Sequence, residues 1–225
     1  MNQVKFPDNP IYTYEPAYEI CITERRYQDA LDLTKIWLEN KGLDEKVGYP
    51  NLARTYYFMG DFQKAEEILS QHFAELYEQV ASRKITIESL QLSDILPVST
   101  YVEVLRKGGK EEKASLYADF LCAYYSAHGK RVMLAKKFYP LLCFYVQNDL
   151  AGFLNALDEA FFNPGHRLAI YSHLKSSRFA AFEDHPEYQE LLEKIEAETH
   201  RMRDEVVVYL KEEGDWDPSW DAALQ

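Results

Sequence analysis

The sequence predicts an all-α fold of stacked antiparallel helix pairs, on three observations. Two stretches 35 residues apart nearly repeat one another, Arg26-Tyr27-Gln28-Asp29-Ala30-Leu31-Asp32-Leu33 and Asp61-Phe62-Gln63-Lys64-Ala65-Glu66-Glu67-Ile68. An aromatic three residues before a small alanine, at that period, is how stacked helix pairs show themselves. Apolar side chains elsewhere recur at the three-and-four spacing of one-sided helices, and the alternation typical of strands is almost absent.

The first unit, 11–44, holds two helical stretches, Tyr14 to Thr23 and Arg26 to Glu39, around a tight turn. In the second stretch Tyr27, Ala30, Leu31, Leu33, Ile36 and Trp37 keep mostly to one face. The second unit, 46–81, runs from Asn51 to Met59, turns at Gly60-Asp61 and continues from Phe62 to Ala81. Gly60 tolerates the positive φ needed where a helix ends and the chain reverses. Between 82 and 96 the pattern loosens, and Ile85, Ile87, Leu90, Leu92 and Ile95 fit either a short extra helix or an ordered insertion.

Pro97 is expected to open a third pair, 97–128, with Val98 to Arg106, a turn at Gly108-Gly109, and Glu111 to Ala127. The fourth, 131–164, has Val132 to Val146, a turn at Asn148-Asp149, and Leu150 to Phe162 before the stop Asn163-Pro164-Gly165. Residues 165–214 read as capping helices: a short stretch at Arg167 to Ser172, then Phe179-Ala180-Ala181-Phe182, then a long helix from near Pro186. Its stripe of Tyr188, Leu191, Leu192, Ile195, Met202, Val206, Tyr209 and Leu210 needs a covering surface. Residues 215–225, with Trp216 and Trp220 beside Pro218, form a tail, either docked or frayed. The whole of 1–225 reads as a single domain.

Composition narrows the function. Apolar residues make up 47% of the 225, enough for a folded core, and the formal net charge of −12 opposes attraction to a phosphate backbone or an anionic membrane surface. Direct nucleic-acid binding is therefore not expected, nor is membrane contact: the longest apolar run, Leu141 to Val146, falls far short of the roughly 20 residues of a spanning helix. Met1 to Pro10 lacks the apolar stretch of a secretory signal. The expected location is cytoplasmic as the sequence stands, or outside the cytoplasm for a segment cut from a membrane-anchored regulator. Cys21, Cys122 and Cys143 cannot all pair within one chain and sit among apolar neighbours, so they read as buried thiols.

No catalytic pattern emerges. His72, His128, His166, His173, His185 and His200 lack the one-turn spacing of a helical zinc pair, and no Cys-x-x-Cys accompanies them. Gly108-Gly109-Lys110 lacks the upstream glycine and following hydroxyl of a phosphate loop, and Ser172-His173 has no evident acidic partner. Glu66-Glu67, Glu111-Glu112 and Glu212-Glu213 read as solvated helix faces. The expectation is a chain that is no enzyme and carries no metal or cofactor.

Taken together these units resemble the tetratricopeptide-repeat (TPR) family. In the second unit, Leu52-Ala53, Tyr56, Gly60, Phe62, Ala65 and Leu69 match that family's pattern. The first keeps Tyr27, Ala30 and Trp37 but has Arg25 at the turn and bulky Tyr18 at a usually small position. The third keeps Gly109 and Ala114, and the fourth substitutes Asn148 and Phe153 but retains Leu157 and Ala160. The resemblance implies a right-handed superhelical stack, a TPR-like α-solenoid closed by a long C-terminal helix. The stretch from Glu183 to Leu192 and the charged helix beyond it resemble the end of TPR regions in bacterial regulators, namely winged-helix transmembrane regulators and class III adenylyl cyclase-associated regions.

By that resemblance the first helix of each pair lines a concave groove, which places Arg54, Tyr57 and Phe58, then Glu103, Arg106 and Lys107, then Tyr139, Leu142 and Tyr145 toward a partner. The cations would hold a peptide carboxylate or acidic segment while the rings cover its apolar residues. The leading expectation is thus a protein-interaction or sensory scaffold that binds a peptide, a partner domain or a second copy of itself. The alternatives are a small-molecule sensor with a pocket in the aromatic-rich fourth unit, and a homo-oligomer formed through the C-terminal helix.

Overall fold

The structure is a computed structural model that describes residues 10–39, 44–129, 135–162, 174 and 177–218. Among these residues there is no strand. The helices are α1 (Pro10–Thr23), α2 (Tyr27–Glu39), α3 (Glu45–Phe58), α4 (Phe62–Ala81), α5 (Leu92–Lys107), α6 (Glu111–Gly129), α7 (Ala135–Val146), α8 (Leu150–Phe162) and α9 (Pro186–Glu213), with a 3-10 turn at Ser177–Phe182 before the last. Helices α1/α2, α3/α4, α5/α6 and α7/α8 pack as hairpins. Neighbouring hairpins meet through α2 with α3, α4 with α5 and α6 with α7, while α3 packs on α5 and α5 on α7.

One turn geometry recurs in all four hairpins. Arg25, Gly60, Gly109 and Asn148 occupy left-handed backbone with φ of 58°, 83°, 74° and 58°. At each, the residue's N–H donates three residues back and the next N–H five residues back, as in Gly60 to Tyr57 and Asp61 to Tyr56, or Asn148 to Tyr145 and Asp149 to Phe144. These bonds satisfy carbonyls that the helix end would otherwise leave open. Glycine and asparagine enter this region readily, whereas arginine does so at a cost of roughly 1–2 kcal/mol. The turn is therefore dictated by the hairpin even where the residue opposes it.

Five residues past each turn stand Ala30, Ala65, Ala114 and Phe153, all fully buried. A small side chain there lets two helices approach closely. Leucine at Ala65 should overpack the contact and lower stability by about 1–3 kcal/mol; urea melts showing no loss would contradict the assigned crossing. In the fourth hairpin Phe153 takes this position, and the C-terminal segments gather on its ring.

Two helix starts differ from expectation. Helix α3 begins at Glu45 rather than Asn51, and α5 at Leu92 rather than after Pro97, so Pro50 and Pro97 lie inside their helices. Capping supports the earlier starts: the Asp44 carboxylate accepts from the Lys46 N–H at 2.7 Å, and the Asp94 carboxylate from the Gln91 N–H at 3.0 Å. Pro16 and Pro140 likewise lie within α1 and α7. A proline near a helix start removes only one backbone bond, so the helix continues through it. The stretch from 82 to 91 is a connection of turns and 92–96 the opening of α5. Residues 130–134, 163–173 and 219–225, including the expected helix around Arg167 to Ser172 and the end of the tail, lie outside the described residues.

The core is continuous from α3 to α9, with a smaller core in the first hairpin built on Tyr14, Tyr18, Cys21, Ile22 and Ala30; Phe58 packs against both. Buried hydroxyls tie the parts together. Tyr18 donates to the Asn51 carbonyl at 2.9 Å and lies 3.2 Å from the Thr55 hydroxyl, which explains a bulky residue at that position of α1. Between α4, α5 and α6, the Tyr77 and Tyr101 rings stack at 4.0 Å, and Tyr117 donates to the Tyr77 carbonyl at 3.2 Å.

The cysteines correct the sequence reading. Cys122 of α6 and Cys143 of α7 form a disulfide, and Cys21 alone remains a buried thiol. The expected stripe on the last helix is covered only in its first half, where Tyr188, Leu191 and Ile195 are buried and α9 packs on α8. Farther along, Val206, Val208 and Tyr209 are 56%, 54% and 60% exposed. No described helix is long and apolar enough to cross a membrane.

Candidate binding cavity

A cavity of about 560 Å³ opens between α1, α3, α5, α6 and α7. Its apolar wall includes Ile95, Leu96, Tyr124, Tyr125, Leu142 and Tyr145, and its polar border Glu15, Lys46, Arg54, Ser99, Thr100 and Glu103. The repeated hairpin places these groups. Glu19, Arg54, Glu103 and Leu142 each stand six residues before the left-handed residue of their own turn. Successive first helices thus present a carboxylate, a guanidinium, a carboxylate and an apolar side chain at one register.

Arg54 is nearly buried. Its Nη1 meets Glu19 Oε1 at 3.1 Å, and its guanidinium lies 5.5 Å from the centre of the Phe58 ring. Burial works against its charge, but Glu19, Tyr18 and Glu103 outweigh that and raise its pKa above the ordinary arginine value. Lys46 Nζ meets Asp94 Oδ1 at 2.6 Å. Burial, then Glu103, pushes the Tyr145 hydroxyl well above the usual tyrosine pKa, and the same two causes in the same order raise Tyr57. Both phenols thus remain neutral, hydrogen-bonding groups at ordinary pH.

Of the expected groove residues, Arg54, Glu103, Leu142 and Tyr145 come together on this cavity. Tyr57, Phe58 and Arg106 serve elsewhere. Tyr57 is buried, edge-on to Phe58 at 5.3 Å and Phe62 at 5.7 Å, and Phe58 stacks on Tyr27 at 6.0 Å. Arg106 donates to the Val146 carbonyl at 2.5 Å and pairs with Glu111 at 3.0 Å, so it ties α5 to the end of α7 and the start of α6. Lys107 is exposed beside the turn. The side chain of Tyr139 lies outside the described residues.

The sequence reading missed Glu15, Lys46, Ser99, Thr100, Tyr124 and Tyr125. It assigned the groove to first helices alone, whereas α6, a second helix, contributes two rings. Lys46 and Ser99 were missed because α3 begins earlier than expected and the face of α5 was counted only near its end. For two of them the signal available was the shared register: Glu15 and Ser99 each stand ten residues before the left-handed residue of their own turn. Among the described residues no cluster of His, Cys, Asp and Glu is arranged to hold a metal ion.

The chain matches no protein-family model, and comparisons with curated proteins and with solved structures find no similar protein. The geometry of the cavity therefore carries the functional reading.

Proposed function

We propose that this chain is a non-enzymatic binding module of the TPR-like kind, its hairpins stacked into a right-handed superhelix with the cavity on the concave side. It docks a short segment of a protein partner, as the interaction or sensory portion of a bacterial signalling or transcription-regulating protein. One observation supports this above the rest: a cavity walled by tyrosines and bordered by an ion ladder, at the same register of consecutive hairpins. Such an arrangement offers apolar area and fixed polar groups for recognition.

Selection from a displayed library of random heptapeptides tests the reading, run in parallel on the native chain and on Ser99→Trp. Ser99 lines the cavity, and its hydroxyl donates to the Leu96 carbonyl of its own helix, so tryptophan there fills the space while the melting temperature reports intact folding. Peptides enriched on the native chain should bind the filled variant at least tenfold more weakly. Equal binding to both would remove the cavity as the site. A second reading, a homo-oligomer through α9, draws on the exposure of Val206, Val208 and Tyr209; sedimentation at high concentration distinguishes it.

A further inference from the structure

We infer that Cys122 and Cys143 form a thiol–disulfide exchange site, open to a small thiol such as glutathione, and that its redox state sets how tightly the cavity holds its ligand. The second half rests on the proposed role as a binding module; the first does not.

Position gives the bond this role. Cys122 is on α6 and Cys143 on α7, so the bond joins the third hairpin to the fourth rather than closing a hairpin on itself. In a stack each unit meets only its neighbours, and the rotation at each joint sets the shape of the surface they enclose. The same two helices supply five residues of the cavity, Tyr124 and Tyr125 from α6 and Leu142, Tyr145 and Val146 from α7. Tyr125 follows Cys122 by three residues and Val146 follows Cys143 by three, a spacing that puts each on its cysteine's side of the helix. The two Cα atoms stand 4.6 Å apart, so the bond pins both helices at close approach, one turn from the lining.

The surroundings fit exchange. Both cysteines are partly exposed, and an attacking thiolate needs access to one of the two sulfurs. Cys21 is buried in the separate core of the first hairpin and does not compete for either partner. The reduced form is accommodated too: Gln147 Oε1 lies 3.6 Å from Cys143 Sγ and accepts its S–H once the bond is open. Arg106 still donates to the Val146 carbonyl in that form, so α5 and the end of α7 stay tied. The exchange balances. One glutathione thiolate attacks a sulfur of the pair and breaks the S–S bond, leaving a mixed disulfide and a cysteine thiolate. A second glutathione thiolate then displaces the cysteine from the mixed disulfide. The products are glutathione disulfide and two cysteine thiolates, which take up the protons the two glutathione thiols gave up; oxidation runs the same steps backward. With the bond closed, the wall is fixed before a ligand arrives. With it open, binding must first order the wall, and affinity falls.

The test uses the full chain carrying Cys21→Ala, in which the pair alone responds, across glutathione buffers from reduced to oxidised. After alkylation, intact mass should show the pair passing in one step from two modified thiols to none. Amide shifts at 99–103 of α5, which holds no cysteine, should change with that step. A peptide selected on the oxidised chain should bind the reduced chain about fivefold or more weakly, and the double variant Cys122→Ala, Cys143→Ala equally weakly in every buffer. Should that variant melt early, the reduced chain carries the same comparison. A pair that stays oxidised in excess reduced glutathione would overturn the exchange site. Unmoved shifts at 99–103, or equal affinities of the two forms, would overturn its control of the cavity. Peptides that bind Ser99→Trp as well as the native chain would remove the binding module, whereas exchange accompanied by moved shifts at 99–103 would still support the site.

Discussion

Phe153→Ala should lower the free energy of unfolding by about 3–5 kcal/mol, the largest stability effect expected of any single substitution here. Its ring is fully buried and meets Phe179 at 4.9 Å, Phe182 at 5.1 Å, Tyr188 at 6.0 Å and Tyr145 at 6.4 Å. Those partners belong to the 3-10 turn, α9 and α7. Truncation therefore opens a void that rigid rings cannot collapse into, and it loosens three elements at once. Domains of this size have roughly 5–15 kcal/mol in total, so the variant should unfold at markedly lower urea. Because Tyr145 lies on the cavity wall, binding should weaken in parallel. A loss under about 1 kcal/mol would mean that the closing segments do not depend on this ring.

Breaking the Cys122–Cys143 disulfide should cost about 3 kcal/mol by the chain-entropy estimate for a loop of its size, a sequence separation of 21. The bond joins α6 to α7, two walls of the cavity. Cys143→Ser and the chemically reduced native chain should melt alike and below the oxidised chain. In a reducing compartment the pair would exist as thiols, and the less stable form would be the working one. Intact mass measurements finding all three cysteines as thiols after exposure to oxidised glutathione, rather than Cys21 alone, would contradict the pairing.

The helical class and the places of all four turns were legible, and at three of them local chemistry states the backbone as well. Gly60 and Gly109 have no β-carbon to oppose positive φ, and Asn148 tolerates it. At Arg25 the turn was expected but its left-handed backbone was not: that conformation follows from the packing of α1 on α2, which no local propensity reports. The starts of α3 and α5 were misplaced because Pro50 and Pro97 look like boundaries in sequence, whereas a proline one turn into a capped helix is tolerated. Phe153 departs from the alanine pattern for a reason that lies some 26 to 35 residues downstream, in Phe179 and Tyr188. The disulfide was hidden for the same reason, since an odd cysteine count says nothing about which two meet.

Four residues of the candidate site were visible in the same way. Arg54, Glu103, Leu142 and Tyr145 were placed by counting along first helices, and the count holds because the turn geometry is repeated. What counting could not supply was the ion pairing. Arg54 and Lys46 look available in sequence, yet Glu19 and Asp94 approach them only through the stacking of α1 on α3 and α3 on α5.

The most direct measurement is amide chemical-shift mapping of the labelled native chain during titration with a peptide selected on that chain. The largest shifts should fall at 99–103 of α5 and 142–146 of α7, and they should vanish on Ser99→Trp. Shifts confined to 200–213 of α9, with those two segments unmoved, would contradict the cavity as the binding site.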